Sequence, residues 1–237
     1  MGFRVLAAAL VGAASLASAT PSSAAWLETR VKSHITQIDV EARGTATVTQ
    51  ELVLSVRGGP LKTFEIAGAD ADAEMLPDAS VVPIVKYGVP APIPLTIERQ
   101  DDGTLRIEIE REKGLFTGSY TFRFGYRTAL LARDRIRRRG TAAEVEWIGP
   151  RFSDGIDVAK VIFRLPEGSV TPALAQGNDA DDAALGSAFL SSVRHVGGKV
   201  ELEVVRPHVA RGEPPLWRLV TEPKIFEGLP PKANDVP

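Results

Sequence analysis

Regular alternation of apolar and polar residues predicts β-strands along most of the chain. The clearest case is the segment 119–127, in which aromatic residues at the even positions from 120 to 126 alternate with polar or charged ones. A period of two is typical of a strand with one buried face and one solvated face. The same alternation predicts strands at residues 45–56, 104–110, 144–147, 157–166 and 199–205.

Turn residues indicate how these strands are joined. The apolar parity changes between Ile35 and Ile38, which predicts a bulge in a first strand, and the turn at 42–44 then predicts a hairpin with the strand 45–56. Asp101-Asp-Gly103 predicts a second hairpin. Five prolines between 77 and 94 predict a surface excursion with one edge strand at 81–87, and one or two helical turns are predicted at 183–192.

Together these segments give nine to eleven strands and no long amphipathic helix. They predict an all-β fold, an antiparallel β-sandwich of immunoglobulin-like type over residues 26–210 with at most one or two helical turns. The remaining residues, 211–237, hold six prolines around one apolar segment at 216–220 that contains Trp217. We expect an extended tail whose apolar segment packs on the domain or binds a partner.

The first 25 residues are typical of a secretory signal peptide. Arg4 is followed by an apolar run at 5–19, and small residues stand at Ser23 and Ala25, just before Trp26. We expect cleavage after Ala25 and a mature chain in the periplasm or outside the cell. The alternative is an uncleaved membrane anchor, although the run is rich in alanine and interrupted by glycine and serine.

Composition narrows the classes of site that an exported chain of this kind can hold. The 237 residues include no cysteine, which excludes disulfides, a thiol nucleophile, thiolate metal sites and acylation on cysteine. Loss of Arg4 leaves 27 basic and 30 acidic side chains, a net charge of −3. That balance predicts no general attraction to nucleic acid.

Three of the predicted strands resemble a known family. Residues 118–127, 144–147 and 156–166 resemble the exported N-terminal domain of a family of predicted bacterial and archaeal membrane proteins of unknown function, and the first hairpin is similar to the opening of those domains. The resemblance implies a β-sandwich held outside the membrane by following transmembrane helices, and it implies no catalytic residues. This chain shows no such apolar run after the domain, which is a departure from the family pattern: either the membrane part belongs to another chain, which would make a membrane protein a partner, or it has been lost, or the chain is not of this family.

An arginine cluster is the most unusual feature of the sequence. Five arginines occur within seven residues on a predicted connection between strands: Arg133, Arg135, Arg137, Arg138 and Arg139. Exposed guanidinium groups bind phosphates in a bidentate manner, which in an exported protein indicates lipid or lipopolysaccharide head groups, or an acidic partner. We expect these residues and Trp217 to form the contact surfaces. The alternative is a solvated hairpin tip whose arginines pair with nearby acidic residues.

Four carboxylates near Trp147 raise a second possibility. Glu144, Glu146, Asp154 and Asp157 could supply the acid and base of a glycosidase beside an aromatic residue that stacks on sugar. The alternation instead places Trp147 in the core and the two glutamates on a solvated face. A carbohydrate-active enzyme or sugar-binding module is therefore the alternative function, and no catalytic residue is predicted.

Metal chemistry has little support in the sequence. The acidic segments 70–74 and 178–182 offer oxygen ligands of the kind that calcium prefers, but neither has the glycine and distal glutamate of an EF-hand loop. The three histidines, His34, His195 and His208, are far apart. No metal and no cofactor are expected. The sequence thus predicts an exported, non-catalytic protein of the cell envelope that binds a partner protein or an anionic envelope component.

Overall fold

The computed structural model describes residues 26–70, 72–175 and 190–230. The predicted signal peptide and the acidic segment 178–182 lie outside this range. Of the helical turns predicted at 183–192, residues 183–189 also lie outside the described range. Residues 190–192 belong to a strand, so the prediction is wrong for them. No helix in the described ranges is long and apolar enough to cross a membrane.

The described chain consists almost entirely of strands, which confirms the all-β prediction. Fifteen strands occur in these ranges, more than the nine to eleven predicted, together with one 3-10 turn at Pro223–Ile225. They are β1 Leu27–Val40, β2 Thr45–Gly58, β3 Thr63–Ile66, β4 Glu74–Met75, β5 Ser80–Pro83, β6 Ile93–Arg99, β7 Leu105–Ile109, β8 Gly118–Ala129, β9 Ile136–Arg139, β10 Ala142–Ile148, β11 Ile156–Pro166, β12 Ala173–Leu174, β13 Leu190–Val196, β14 Lys199–Arg206 and β15 Leu216–Thr221.

The larger sheet contains eleven of these strands. Their order is β13-β14-β11-β1-β2-β8-β5-β6-β7-β3, and β4 pairs with β8 outside this path. The prediction of a purely antiparallel fold is wrong at one central pair, because β1 and β11 run parallel, with Val31 opposite Ile156. A parallel pair requires a long crossover, and the whole chain between the two strands supplies it.

The second sheet contains four strands in the order β12-β15-β10-β9. Three of them, β9, β12 and β15, come from segments that were not predicted as strands. The arginine-rich segment is strand β9 rather than a connection, and the apolar segment of the predicted tail is strand β15. Residues 211–230 therefore pack as part of the same fold as residues 26–210.

Local predictions for the first half of the chain are largely confirmed. The β1–β2 hairpin forms, and β1 does contain an irregularity, but the register shift lies between Val31 and Ser33 rather than at the predicted position between Ile35 and Ile38, where the pairing is regular. The β6–β7 hairpin turns at Gly103, whose φ of 80° suits glycine. A second prediction was also wrong: β5 is not an edge strand, because it pairs with β8 on one side and with β6 on the other.

One continuous buried cluster joins the two sheets. It includes Phe122 and Phe163 from the larger sheet and Trp147 and Trp217 from the second. The ring of Phe64 on β3 packs edge to face on Phe122 of β8, with ring centroids 4.8 Å apart, although four pairings separate these strands along the sheet. The larger sheet therefore curls, so that β3 lies over β8.

Candidate functional site: an arginine-lined cleft

The structure distributes the five predicted arginines among acidic and backbone partners. Arg133 pairs with Asp70 and Asp72. Three others pair with the glutamates of strand β10: Arg135 with Glu146, Arg137 with both Glu144 and Glu146, and Arg139 with Glu144. Arg138 donates through Nε to the Pro230 carbonyl at 2.8 Å. This arrangement matches the alternative hypothesis for the cluster, in which the arginines pair with nearby carboxylates.

The two glutamates of β10 are buried, so their predicted solvated position is wrong. Glu144 is fully buried, and its Oε1 accepts hydrogen bonds from Nε and Nη2 of Arg137 at 3.0 and 2.6 Å. Glu146 accepts from Arg135 at 2.7 Å and from Arg218 at 3.0 Å. Burial opposes ionisation of Glu146, but the hydrogen bonds from Arg218 and Arg135 outweigh it and hold its pKa below the usual value.

Trp217, the remaining predicted contact residue, is buried rather than exposed. It lies on β15 opposite Trp147 of β10, and both belong to the shared core. Its place in the core indicates a structural role, because an accessible contact needs a surface.

The structure does not bring the four carboxylates near Trp147 together. Glu144 and Glu146 are engaged by arginines on the second sheet. Asp157 lies on β11 and pairs with Arg30 and with Lys32 of β1 in the larger sheet. Asp154 lines a separate cavity. The acidic pair that a glycosidase requires is therefore not assembled from these residues.

The described part of the acidic segment 70–74 also has a structural role. Asp72 accepts hydrogen bonds from Thr128 Oγ1 at 3.0 Å, the Ala129 amide at 2.9 Å and Arg133 Nη1 at 2.7 Å. Burial opposes ionisation of Asp72, but these donors outweigh it and lower its pKa. No cluster suited to a metal ion occurs among the described residues.

A cleft of about 290 Å³ is lined by residues from connections of the larger sheet and from strand β10 of the second sheet. Its walls come from the β3–β4 connection, the β8–β9 connection, the end of β10 and the segment before β15. The lining includes Asp70, Arg133, Arg135, Trp147, Arg151 and Pro214. Two of the predicted arginines thus line the cleft, although no part of the sequence prediction placed a cleft here.

Two residues that line this cleft each carry a buried polar atom with no hydrogen-bond partner among the described residues. One is Nε1 of Trp147, an obligatory donor on a side chain that is only 4% exposed. The other is Oδ2 of Asp70, an acceptor. Burial raises the pKa of Asp70, and Arg133 partly offsets this effect. Buried tryptophan N–H groups normally find a partner, so an unpaired one on a cleft wall indicates a place for a ligand acceptor.

Arg151 supplies a guanidinium group that is free to bind. Within residues 26–70, 72–175 and 190–230 its side chain makes no hydrogen bond or ion pair, while its amide donates to the Ala67 carbonyl at 3.3 Å. Arg133 and Arg135 are held in place by their carboxylates. Sequence reasoning missed Arg151, because a single arginine in a loop carries no pattern. The cleft therefore combines one unpaired guanidinium, two anchored ones and an indole donor.

A second cavity, of about 260 Å³, adjoins the cleft. Ala67 and Arg151 line both cavities, and an isolated β-bridge pairs these two residues. Apolar side chains form much of its wall: Val31, Leu52, Leu54, Phe64 and Phe152. A ligand whose anionic group lies in the cleft could thus place an attached apolar group in this second cavity, beside Arg151.

Comparisons with known proteins do not show a family for this chain. No protein-family model matches it, and no curated protein matches it. Among solved structures it is similar to a protein from Parabacteroides distasonis that is named a "putative protease", with 11% sequence identity and a TM-score of 0.49. The similarity covers 83% of this chain and 41% of that one, so the chain spans less than half the length of that protein.

Proposed function

We propose that this protein is an exported, non-catalytic binding protein of the cell envelope that takes a carboxylate or phosphate group of an envelope component into the arginine-lined cleft. The fold that presents the cleft is proposed to be an immunoglobulin-like sandwich, since residues of both sheets share one buried cluster. Export is proposed from the apolar run at 5–19 and the small residues before Trp26.

The unpaired Nε1–H of Trp147 carries the proposal. Leaving a buried donor without an acceptor costs about 1–3 kcal/mol. A ligand oxygen would recover that cost, and an anionic oxygen would make the stronger, charge-assisted bond. Arg151 lies on the same cleft and has no carboxylate partner among the described residues, so it can neutralise the ligand's charge.

Asp70 adds a requirement for a donor on the same ligand. Its Oδ2 accepts no hydrogen bond among the described residues and lines the cleft with Trp147. A hydroxyl or amino group next to the anionic group would pair with this oxygen. Acidic sugars and phosphorylated sugars combine these groups in a volume that suits a cleft of about 290 Å³.

The test is titration of the purified protein, labelled with nitrogen-15, with inorganic phosphate, glucuronate and glucose while the tryptophan indole N–H signals are recorded. The chain has three tryptophans, so Trp147→Phe assigns the signal of interest. Phosphate or glucuronate is expected to shift it, and glucose is not. Arg151→Ala is expected to weaken the response about tenfold or more, because it removes a charged hydrogen bond.

Arg57→Ala is the matched control, since this exposed arginine lies on β2, away from the cleft. A response that Arg57→Ala reduces as much as Arg151→Ala would contradict the proposal. So would an indole signal that neither anion shifts, or one that glucose shifts equally.

A further inference from the structure

Four connections meet at one end of the larger sheet. This end holds the start of β1, the end of β2, the start of β8, the end of β5 and the start of β6, which are neighbours in the sheet order. The connections are residues 26–28, 57–62, 84–92 and 110–117. We call them the apolar end, because their tips carry exposed apolar side chains.

Contacts between the backbones join these connections into one surface. The Gly59 amide donates to the Trp26 carbonyl at 3.0 Å, and the Leu61 amide donates to the Leu115 carbonyl at 2.7 Å. The Ile84 amide donates to the Ser119 carbonyl at 2.8 Å. The exposed side chains are therefore presented together rather than scattered over the molecule.

Several apolar side chains at the apolar end are largely exposed to solvent. Val89 is 98% exposed, Tyr87 81% and Trp26 63%. Ile84, Val85 and Phe116 are also exposed on the same connections. Isolated exposed apolar residues are ordinary, but a group on neighbouring connections that includes three aromatic rings indicates a binding surface.

The shape of this surface favours a bilayer over a groove in a protein. Residues 84–92 form a projecting connection, in which a Cβ added to Gly88 would meet no atom within 4 Å. Pro90 and Pro92 limit the freedom of its backbone. Apolar side chains on projecting tips, with Trp and Tyr among them, suit the boundary between head groups and acyl chains.

Charge at the apolar end favours anionic head groups. Its four connections hold five basic residues, Arg57, Lys62, Lys86, Arg111 and Lys113, and three acidic ones, Glu28, Glu110 and Glu112, a local net charge of +2. The chain as a whole is net negative. Basic residues near an anionic membrane surface each add about 1 kcal/mol of attraction.

We infer that the apolar end docks onto an anionic lipid bilayer, with Tyr87, Val89 and Trp26 entering the interface. Strand direction places the arginine-lined cleft at the opposite end, because β3 begins at the apolar end and the cleft follows the end of β3. Docking would thus point the cleft away from the membrane. This inference does not depend on what the cleft binds.

Sedimentation with vesicles tests the inference, with the protein beginning at Trp26. Vesicles that combine phosphatidylcholine and phosphatidylglycerol are compared with vesicles of phosphatidylcholine alone. We expect binding to the anionic vesicles, and a loss of about tenfold in partitioning for the double variant Tyr87→Ser/Val89→Ser. The matched control is Val170→Ser/Val193→Ser, since both valines are exposed but lie away from the apolar end.

Tryptophan emission gives a second readout that a folding defect would not mimic. Trp147 and Trp217 are buried, so the solvent-exposed emission belongs to Trp26. Anionic vesicles are expected to shift this emission to shorter wavelength and to protect it from acrylamide. The inference is overturned if the protein does not sediment, if the control variant loses as much binding, or if Trp26 emission stays unchanged. Equal binding to neutral vesicles would overturn the anionic preference.

Discussion

Burial of His34 gives this fold a stability that depends on pH. His34 lies on β1, fully inside the protein, with Nε2 2.5 Å from Oε1 of Gln50. The same Gln50 oxygen accepts a hydrogen bond from Thr36 at 2.9 Å, and the ring of Phe152 packs on the imidazole at 5.7 Å between centroids. Since the Gln50 oxygen can only accept, His34 donates through Nε2.

The magnitude follows from the pKa of His34. Burial lowers this pKa from 6.5 to about 4, and the hydrogen bond with Gln50 offsets only part of that effect. Between these two pH values the unfolded chain binds a proton at His34 that the folded chain does not. The free energy of unfolding therefore decreases as the pH falls through 6.5, by about 2 kcal/mol between pH 7 and pH 5 and about 3 kcal/mol at pH 4.

Urea unfolding of the wild type and of His34→Gln, at several pH values between 7 and 5, measures this contribution. Glutamine does not titrate, so the wild type should lose about 2 kcal/mol more than the variant over this range. Carboxylates whose pKa is held low, such as Glu146 and Glu201, lose their stabilising contribution only at lower pH. Their effect is common to both proteins.

Two results would refute this reasoning. One is a wild type and a variant that lose stability in parallel between pH 7 and pH 5. The other is a His34 imidazole signal that titrates with a midpoint near pH 6.5 when the folded wild type is followed by nuclear magnetic resonance. The second measurement decides the question even if His34→Gln does not fold.

Two further predictions concern the second sheet and can be measured by the same urea unfolding. Glu144→Ala should destabilise the protein by about 1–3 kcal/mol, because it removes the two hydrogen bonds that Arg137 makes to a buried carboxylate and leaves that guanidinium only its longer contact with Glu146, whereas the exposed Glu112→Ala should change stability by less than about 0.5 kcal/mol. Trp217→Ala should cost about 3–5 kcal/mol, and its partly exposed neighbour Leu216→Ala clearly less. Equal effects within either pair would contradict the described packing.

The sequence predicted the strands that have one solvated face. Strands β2, β8 and β14 each alternate clearly, because one side of each packs on the core. Strand β9 was missed because only Ile136 of its four residues is apolar, and Arg138 occupies an inward position in the alternation. Strand β15 was read as part of a tail because prolines flank it. Its pairing with β10 depends on residues about 70 positions apart.

The candidate site could be predicted only in part. The arginine cluster drew attention to Arg133 and Arg135, which do line the cleft. Trp147 was correctly placed in the core, but whether its N–H finds an acceptor depends on chain segments distant in sequence. The burial of Glu146 likewise depends on Arg218, 72 residues away. Such partners have no local pattern, so only the assembled fold shows them.

The parallel pairing of β1 with β11 has a consequence for how the protein folds. Four of the other pairs in the larger sheet join consecutive strands, so hairpins such as β1–β2 and β6–β7 can form early. The contact between Val31 and Ile156 closes a loop that spans more than half of the chain, which slows folding through its entropy. One side of β1 therefore stays unpaired until β11 has been synthesised, and the sheet becomes continuous only then.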